Sequence, residues 1–413
     1  MSVPGQTMGV SVFTDSLLKS LNLDRVTLSL SYMLGTLSSA FLLPLAGKIL
    51  DKKGARVLAT VASLGLALFL IQLSFSPWIL NRLVNSFSLS SSTLAFMITF
   101  FCFAGIRHFG QGQLTMASRT MMGLWFEKKR GMVLGVSGGV VALGFGVAPL
   151  VLTQMIAKFG WQTALQILAL SSLLMAAMAY LFYRRSPESC GLNVDGGLLI
   201  SQTEESDQSI KDSWSSWTLK EAQSTFTFWV FNLGMLTQAL IVTAMTFHMA
   251  DIAKSSSVSP ELAFAIFLPM SVIAIISEVI MGYLSDRFPL KHLLSVMQFF
   301  LFVGLLSLQF IETTLGFAFA ALGMGVSTGL FALLNGVAWP KLYGRAHLGS
   351  IMGLVTGFMV AGSAVGPYLF GLGQSFYGDY LFIIKVCSVL PFIIFLCSFF
   401  CKKSVDLKKD KLS

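Results

Sequence analysis

Charged residues are scarce in this chain, since Asp, Glu, Lys and Arg make up only 11% of its 413 residues. Soluble proteins carry roughly 25%. In their place the chain has 55% hydrophobic residues, 36 phenylalanines and a mean hydropathy of +0.77. This composition excludes an ordinary soluble domain and is typical of a protein that crosses a membrane several times, so the lipid bilayer is its first expected partner.

Sequence motifs for disulfides, metal binding and catalysis are also missing. The five cysteines have no paired spacing, which argues against a disulfide framework and against a metal site. The chain has no phosphate-binding loop and no nucleophile arrangement, so we expect neither an enzyme nor a cofactor. A net charge of +9 would suit nucleic acid, but the basic residues lie in short loops between apolar runs, and no nucleic-acid partner is expected.

Long apolar runs dominate the sequence. A helix needs about 20 apolar residues to cross the hydrocarbon core. Twelve such runs occur, six on each side of a polar stretch rich in Ser, Gly and acidic residues. The pattern predicts an all-α membrane protein with six-helix bundles at 1–183 and 224–401, a flexible cytoplasmic linker at 184–223 and a basic cytoplasmic tail at 402–413. The predicted spans are 1–18, 26–47, 57–78, 93–118, 131–157, 162–183, 224–250, 260–283, 289–310, 314–338, 349–374 and 380–401.

The first of these spans is unusual. It starts at Met1, contains Pro4, Gly5 and Gln6, and has no basic flank, so it does not match an uncleaved signal peptide either. This pattern predicts a truncated first helix whose true start lies upstream.

Lys and Arg are unevenly distributed between alternate loops. One side holds 21 of the 28, Arg119 among them, and the other side holds 5, while Arg107 and Lys385 lie within spans. Because basic loops stay in the cytoplasm, this asymmetry predicts cytoplasmic N- and C-termini and a cytoplasmic linker.

A short charged loop occurs twice, at equivalent places in the two halves. The segments are GKILDKKGAR at 47–56 and GYLSDR at 282–287, and both keep a Gly-x-x-x-Asp-basic core. Such a duplication is typical of membrane transporters built from repeated halves. Gly47 and Gly282 allow close helix approach, and Asp51 and Asp286 could pair with cations or cap a neighbouring helix. The alternative is that these charges only set the membrane topology.

Arg107 lies near the middle of span 4, where a lipid-facing charge costs ~2.5 kcal/mol or more. It must therefore face the interior. At helical spacing, Gln111, Thr115 and Ser118 extend it into one polar stripe. One interpretation is a substrate site in which the planar guanidinium binds a carboxylate or another anion. The other is a structural arginine that donates to backbone carbonyls or to a Gln, or one that acts in coupling.

Four further polar residues within spans are candidates. Gln6 and Asn335 are candidate substrate-lining residues. His248 either lines an outer vestibule, where its imidazole could carry a proton, or is a hydrogen-bonded interface residue. Glu278 is the only carboxylate well inside an apolar span, and it suits either proton coupling or an ion pair with a loop arginine at a gate.

The repeated loop resembles the signature that the major facilitator superfamily carries between spans 2 and 3 and again between spans 8 and 9, and the likeness covers nearly the whole chain. Four more segments look like the bacterial branch related to monocarboxylate and oxalate/formate transporters: IRHFGQGQLTMASRTMMGLWFEKKRG at 106–131, FGWQTA at 159–164, RRSPESCGLNVDG at 184–196 and GRAHLGSIMG at 344–353. The resemblance implies two bundles around a central cavity that opens to each side in turn, in a bacterial plasma (inner) membrane, and we expect a monomer. It also implies that Arg56 and Arg287 are the cationic partners in gating, with Arg130 as a further candidate.

The chain departs from that pattern in two places. Pro289 stands where the first loop has Gly54, so we expect the second loop to hold the cytoplasmic side closed less firmly than the first. Spans 8 and 11 lack the cation that this branch places there, so a dicarboxylate substrate is not expected. The sequence favours a secondary transporter for a small organic solute such as a monocarboxylate, coupled to protons or to exchange. The alternatives are an exporter of amphipathic compounds or drugs, and a non-transporting membrane sensor or truncated remnant.

Overall fold

The computed structural model describes residues 3–86, 88–128, 130–195, 217–255, 265–378 and 380–402. Apolar runs form helices in this part of the chain because a bilayer offers no hydrogen-bond partners, so every backbone group must be satisfied within its own segment. Nine of the helices within these ranges are long and apolar enough to cross a membrane. The α-helices are α1 Thr7–Ser11, α2 Thr14–Leu21, α3 Arg25–Ser74, α4 Ser76–Val84, α5 Ser91–Ile106, α6 Thr115–Trp125, α7 Arg130–Phe159, α8 Trp161–Phe182, α9 Leu219–Gln223, α10 Phe226–Ser255, α11 Phe267–Ser285, α12 Leu290–Ser307, α13 Thr314–Tyr343, α14 Leu348–Tyr377 and α15 Leu381–Ser398.

The predicted first span is not one helix. A 3-10 turn at Val3–Gly5 is followed by the short helices α1 and α2. The ring of Pro4 fixes φ and removes a backbone donor, which prevents a regular helix from forming across this point. Gly5 packs directly on Gly110, with no room for a side chain between the two backbones. The backbone of this irregular segment therefore packs directly against the backbone of span 4.

Helix α3 contains the predicted spans 2 and 3 and is broken between them. Gly54 has φ 81° and ψ 168°, which lies outside the helical region. A positive φ is readily adopted only by glycine, so Gly54 sets the point at which the chain reverses. The first repeated loop is thus a sharp turn between two membrane-length helices.

Span 4 contains a π-helical segment, Arg107–Leu114, between α5 and α6. A π turn holds more residues than an α turn, so it changes the face on which the following side chains lie. The polar stripe predicted from α-helical spacing is therefore interrupted. Arg107 is buried, whereas Ser118 is exposed.

The two halves pack as separate bundles that meet along several pairs of helices. The main pairs are α3 with α14 and α7 with α11, and further contacts join α7 to α13 and α6 to both α13 and α14. Each pair joins a helix of the first half to a helix of the second half, so any opening between the bundles must separate these contacts.

Candidate functional site

Asp51 joins the two bundles at the end of the molecule that carries residues 47–56 and 282–287, which we call the basic end. Its carboxylate accepts hydrogen bonds from the backbone N–H groups of Gly349 at 2.6 Å and Ser350 at 2.7 Å, and from the Ser350 hydroxyl. Helix α14 begins at Leu348, so Asp51 of the first bundle caps a helix of the second. A carboxylate at this position also interacts favourably with the helix dipole.

Asp286 of the second bundle makes the corresponding contact with a helix of the first bundle. Its Oδ1 accepts a hydrogen bond from the backbone N–H of Gly131 at 3.4 Å, in the first turn of α7. Partial burial raises the pKa of the Asp286 carboxyl, although the Gly131 amide and the charges of Lys341 and Arg130 act in the lowering direction. The second cap is therefore longer and weaker than the first.

Close glycine contacts bring both aspartates within reach of their partners. A Cβ atom at position 47 would overlap the carbonyl oxygen of Gly349, and one at position 282 would lie 2.7 Å from the carbonyl oxygen of Gly131. Backbone therefore packs against backbone at both crossings, as small residues allow between membrane helices.

The side chains of the three arginines that the resemblance assigns to gating have their closest contacts with groups other than the two aspartates. Arg56 stacks on the ring of Tyr180 at 4.6 Å, and Arg287 stacks on Tyr283 at 4.3 Å. Arg130 donates to two backbone carbonyls of its own bundle, at 2.8 and 3.0 Å. Within the described ranges no ion pair joins Asp51 or Asp286 to Arg56 or Arg287, because backbone amides satisfy the carboxylates instead.

Arg345 is a cation of the basic end that contacts the other bundle. It lies in the turn between α13 and α14, and its Nη2 donates to the carbonyl oxygen of Leu124 in α6. The same nitrogen lies 3.1 Å from a carboxylate oxygen of Glu188. Arg345 thus connects the second bundle both to α6 and to the segment that follows α8.

That segment, residues 184–195, makes hydrogen bonds to both bundles, and we call it the clasp. Asp195 accepts hydrogen bonds from the backbone N–H groups of Glu127 at 3.0 Å and Lys128 at 2.8 Å. Arg185 lies against Gly54, and its Nη2 is 3.4 Å from the backbone carbonyl of Asp51. The clasp therefore connects two loops of the first bundle and, through Glu188, the second bundle. The remainder of the predicted linker up to residue 216 lies outside the described residues, as does the tail beyond residue 402.

Arg119 was assigned to a loop from the sequence, but the structure turns it inward. Its Nη1 donates to the carbonyl oxygen of Ala332 in α13 at 3.0 Å, across the two bundles. Its positive charge acts on Glu278, whose side chain is 3% exposed. The sequence analysis did not identify Arg119 as an interior residue. Its position within the apolar segment TMASRTMMGLW could have indicated this.

Arg107 is 1% exposed and holds the N-terminal segment. Its Nη1 donates to the carbonyl oxygen of Gly5 at 3.0 Å and to the Thr7 hydroxyl at 3.3 Å. The guanidinium carbon lies 5.2 Å from the ring centroid of Tyr32. The structural role of Arg107 is therefore visible, and its Nε is buried without a partner among the described residues.

The other polar residues proposed to line a substrate site lie in different bundles. Gln6 lies 3.3 Å from the Thr115 hydroxyl, beside Arg107, and the half-buried Gln111 belongs to the same π-helical segment. Within the part of the chain that is described, Oε1 of Gln111 has no partner. Asn335 is buried on α13 of the second bundle, and no described contact joins it to this group.

His248 is fully hydrogen-bonded within the second bundle. The Tyr380 hydroxyl lies 3.0 Å from its Nδ1, and its Nε2 lies 2.8 Å from the carbonyl oxygen of Pro367. A tautomer protonated at Nε2 satisfies both contacts, with Tyr380 donating to Nδ1. This geometry is that of a hydrogen-bonded interface residue.

Comparisons with known proteins agree with the architecture. A family profile described as Major Facilitator Superfamily matches residues 2–277 and again residues 227–412. A search of the curated proteins found no match.

Solved structures share the fold at low sequence identity. A structure of the proton:xylose symporter XylE is 16% identical, with a TM-score of 0.69 and coverage of 97% of this chain and 94% of that one. The fucose:proton symporter FucP of E. coli is 14% identical, with a TM-score of 0.60 and coverage of 97% and 99%. The human organic anion transporter MFSD10 is 14% identical, with a TM-score of 0.59 and coverage of 93% and 88%.

Proposed function

Because the chain belongs to the Major Facilitator Superfamily, we propose that it is a secondary active transporter that moves a small organic solute by alternating access. The observation that carries this proposal is the cap that Asp51 places on α14 of the opposite bundle. A few hydrogen bonds and glycine contacts close the basic end without any covalent link. Such a contact can break and re-form as the two bundles rock about a central site.

We propose a monocarboxylate as the solute. Arg107 combines a buried guanidinium with an unbonded Nε, and a guanidinium suits a carboxylate better than any other side chain does. Gln111 lies about one turn further along the same π-helical segment, and its Oε1 has no partner among the described residues. The solved structures of similar fold concern sugars in two cases and an organic anion in a third, so both classes belong in the test.

The proposal is tested with purified protein in proteoliposomes. Initial uptake rates of labelled monocarboxylates, dicarboxylates and sugars are measured with and without an imposed pH gradient. We expect saturable monocarboxylate uptake that falls by about tenfold or more in Arg107→Gln, since a lost charged hydrogen bond costs on the order of 1.5–3 kcal/mol. Glu312→Gln, which changes an exposed carboxylate, is the matched control.

Other results would identify the alternatives. Saturable sugar uptake that Arg107→Gln leaves unchanged would contradict the anion site. Extrusion of amphipathic compounds without uptake of any metabolite would indicate an exporter. No flux of any solute in either direction would favour a sensor or a remnant over a transporter.

We further propose that the protein resides in a bacterial inner membrane as a monomer, with its basic end and both termini in the cytoplasm. The support for this orientation is the uneven distribution of Lys and Arg between alternate loops of the sequence, which is still 20 against 5 when the inward Arg119 is left out of the 21.

A further inference from the structure

Glu278 is a carboxylate enclosed by backbone at the contact between the two bundles. It lies on α11, one turn before Gly282. A Cβ atom at Gly138 of α7 would overlap its carboxylate, and a Cβ atom at Gly135 would lie 3.0 Å from its carbonyl oxygen. On its other side, a Cβ atom at Gly329 of α13 would lie 3.0 Å from its backbone nitrogen. The absence of a side chain at Gly138 leaves the space that the Glu278 carboxylate fills, and its absence at Gly135 and Gly329 lets α7 and α13 approach the backbone of α11.

The carboxylate lacks a direct partner in this space. Its Oε1 accepts no hydrogen bond from any residue within the described ranges. Arg119 supplies the positive charge that acts on it, but Nη1 of Arg119 donates to Ala332 instead. Most of the other charged groups on the elements packed against α11 lie toward the basic end: Arg130 of α7, Lys341 of α13, Lys291 and His292 at the start of α12, and Asp286 after α11 itself. Lys158 lies at the opposite end of α7.

A negative charge in this position is costly, because packed backbone replaces the water that would hydrate it. The proposed alternating access requires α7 and α11 to separate when the basic end opens, and separation would return the carboxylate to water. The closed contact therefore favours the protonated carboxyl, and the open one favours the carboxylate.

We infer that Glu278 is a proton-binding site that closes the basic end when it is protonated and releases its proton to water on that side when the basic end opens. The step breaks one O–H bond of the carboxyl group and transfers the proton to water, leaving the carboxylate. Arg119 is a positioning residue in this step, since its charge limits how strongly the proton is held. The inference rests on the proposed alternating access and deepens it by assigning a coupling site.

The test measures the opening directly, without any solute. Spin labels are attached at Lys128→Cys and Phe288→Cys, two exposed positions that flank α7 and α11, in a Cys190→Ser background. Double electron–electron resonance then gives the distance between them at about pH 5.5 and about pH 8.5. We expect the ratio of open to closed molecules to rise by up to about tenfold per pH unit, the limit for one proton.

The variants assign the response to a residue. Glu278→Gln mimics the protonated form and should stay closed at both pH values, whereas Glu312→Gln should respond like the parent protein. Arg119→Gln should move the midpoint of closing to higher pH, because it removes the charge that favours the carboxylate. Should Glu278→Gln fail to fold, Gly138→Ala should increase the open fraction at both pH values, since its methyl group overlaps Glu278.

Three outcomes would overturn the inference: distances in the parent protein that do not change with pH, a pH response that survives in Glu278→Gln, and a response that disappears in Asp286→Asn instead. The proposed function fails separately. A protein that opens with pH but carries no solute contradicts transport alone, whereas solute flux with pH-independent distances contradicts only the role of Glu278.

Discussion

Asp51 and Asp286 occupy equivalent positions but are bonded unequally. Asp51 accepts hydrogen bonds from two backbone amides and a hydroxyl, whereas Asp286 accepts one from Gly131 at 3.4 Å. Hydrogen bonds to a charged acceptor are the stronger ones, so the first cap should contribute more to the closed state.

We therefore predict that Asp51→Asn reduces transport by about tenfold, while Asp286→Asn reduces it by less than about threefold, because asparagine keeps the shape but loses the charge. Initial rates in proteoliposomes, corrected for the amount of folded protein, check this. Equal losses in the two variants would show that the difference in bonding has no functional consequence.

The sequence predicts single residues well where a charge interrupts a long apolar run. Arg107 and Glu278 were recognised as interior in this way, and both are buried. Arg119 was not recognised, because it lies near the end of its span, where hydropathy alone does not separate an inward charge from a loop charge. The contacts of Arg107 with Gly5 and Thr7 were also beyond prediction, since they bridge about a hundred positions of the chain.

At the scale of elements, the clasp is held to the second bundle by the ion pair between Glu188 and Arg345. We predict that Glu188→Gln releases it and increases cleavage by trypsin after Arg184 and Arg185 several-fold, because exposed, unpacked segments are cut most readily. The time course of cleavage of the purified protein measures this. Glu127→Gln is the control, and an unchanged rate in Glu188→Gln would mean that the contacts of Asp195 and Arg185 hold the clasp without the ion pair.

The pH dependence of this contact follows from Glu188. Burial by itself would raise the pKa of its carboxyl, but hydrogen bonding to Ser186 and the charge of Arg345 outweigh burial and leave the pKa below 4.5, its ordinary value. A lowered pKa means that the ion pair stabilises the clasp above that value and is lost as the pH falls through the lowered one. Slow cleavage should therefore persist down to about pH 5 in an acid-tolerant protease assay.

Helices were the most predictable elements, because about 20 consecutive apolar residues have no other stable arrangement in a bilayer. The π-helical segment Arg107–Leu114 was not predictable, since it depends on packing against Gly5 rather than on local preference. The clasp is part of the linker that its polar composition predicts. Its contacts were not predictable, because partners such as Arg345, which lies 157 positions from Glu188, are far away in the sequence.

For the whole molecule, orientation in the membrane is open to a direct test with a native residue. Cys190 in the clasp is exposed, Cys397 is partly buried, and Cys102, Cys387 and Cys401 are buried. We predict that a membrane-impermeant maleimide labels Cys190 in inside-out vesicles at least about tenfold faster than in intact spheroplasts, because the proposed orientation places the basic end in the cytoplasm. Loss of the signal in Cys190→Ser identifies the site. Faster labelling in spheroplasts would reverse the topology.

The partners of Asp51 in α14 are mainly backbone amides, which every residue except proline possesses. Substitutions at position 350 can therefore accumulate over generations without breaking the two amide hydrogen bonds. Position 349 must stay glycine, because a Cβ atom there would lie 2.6 Å from Oδ1 of Asp51 and 2.7 Å from the carbonyl oxygen of Gly47. We therefore expect no correlated substitution between Asp51 and a partner side chain among homologous sequences. The contact would be inherited through one aspartate and the geometry of a helix end, and it would escape any search for co-evolving pairs.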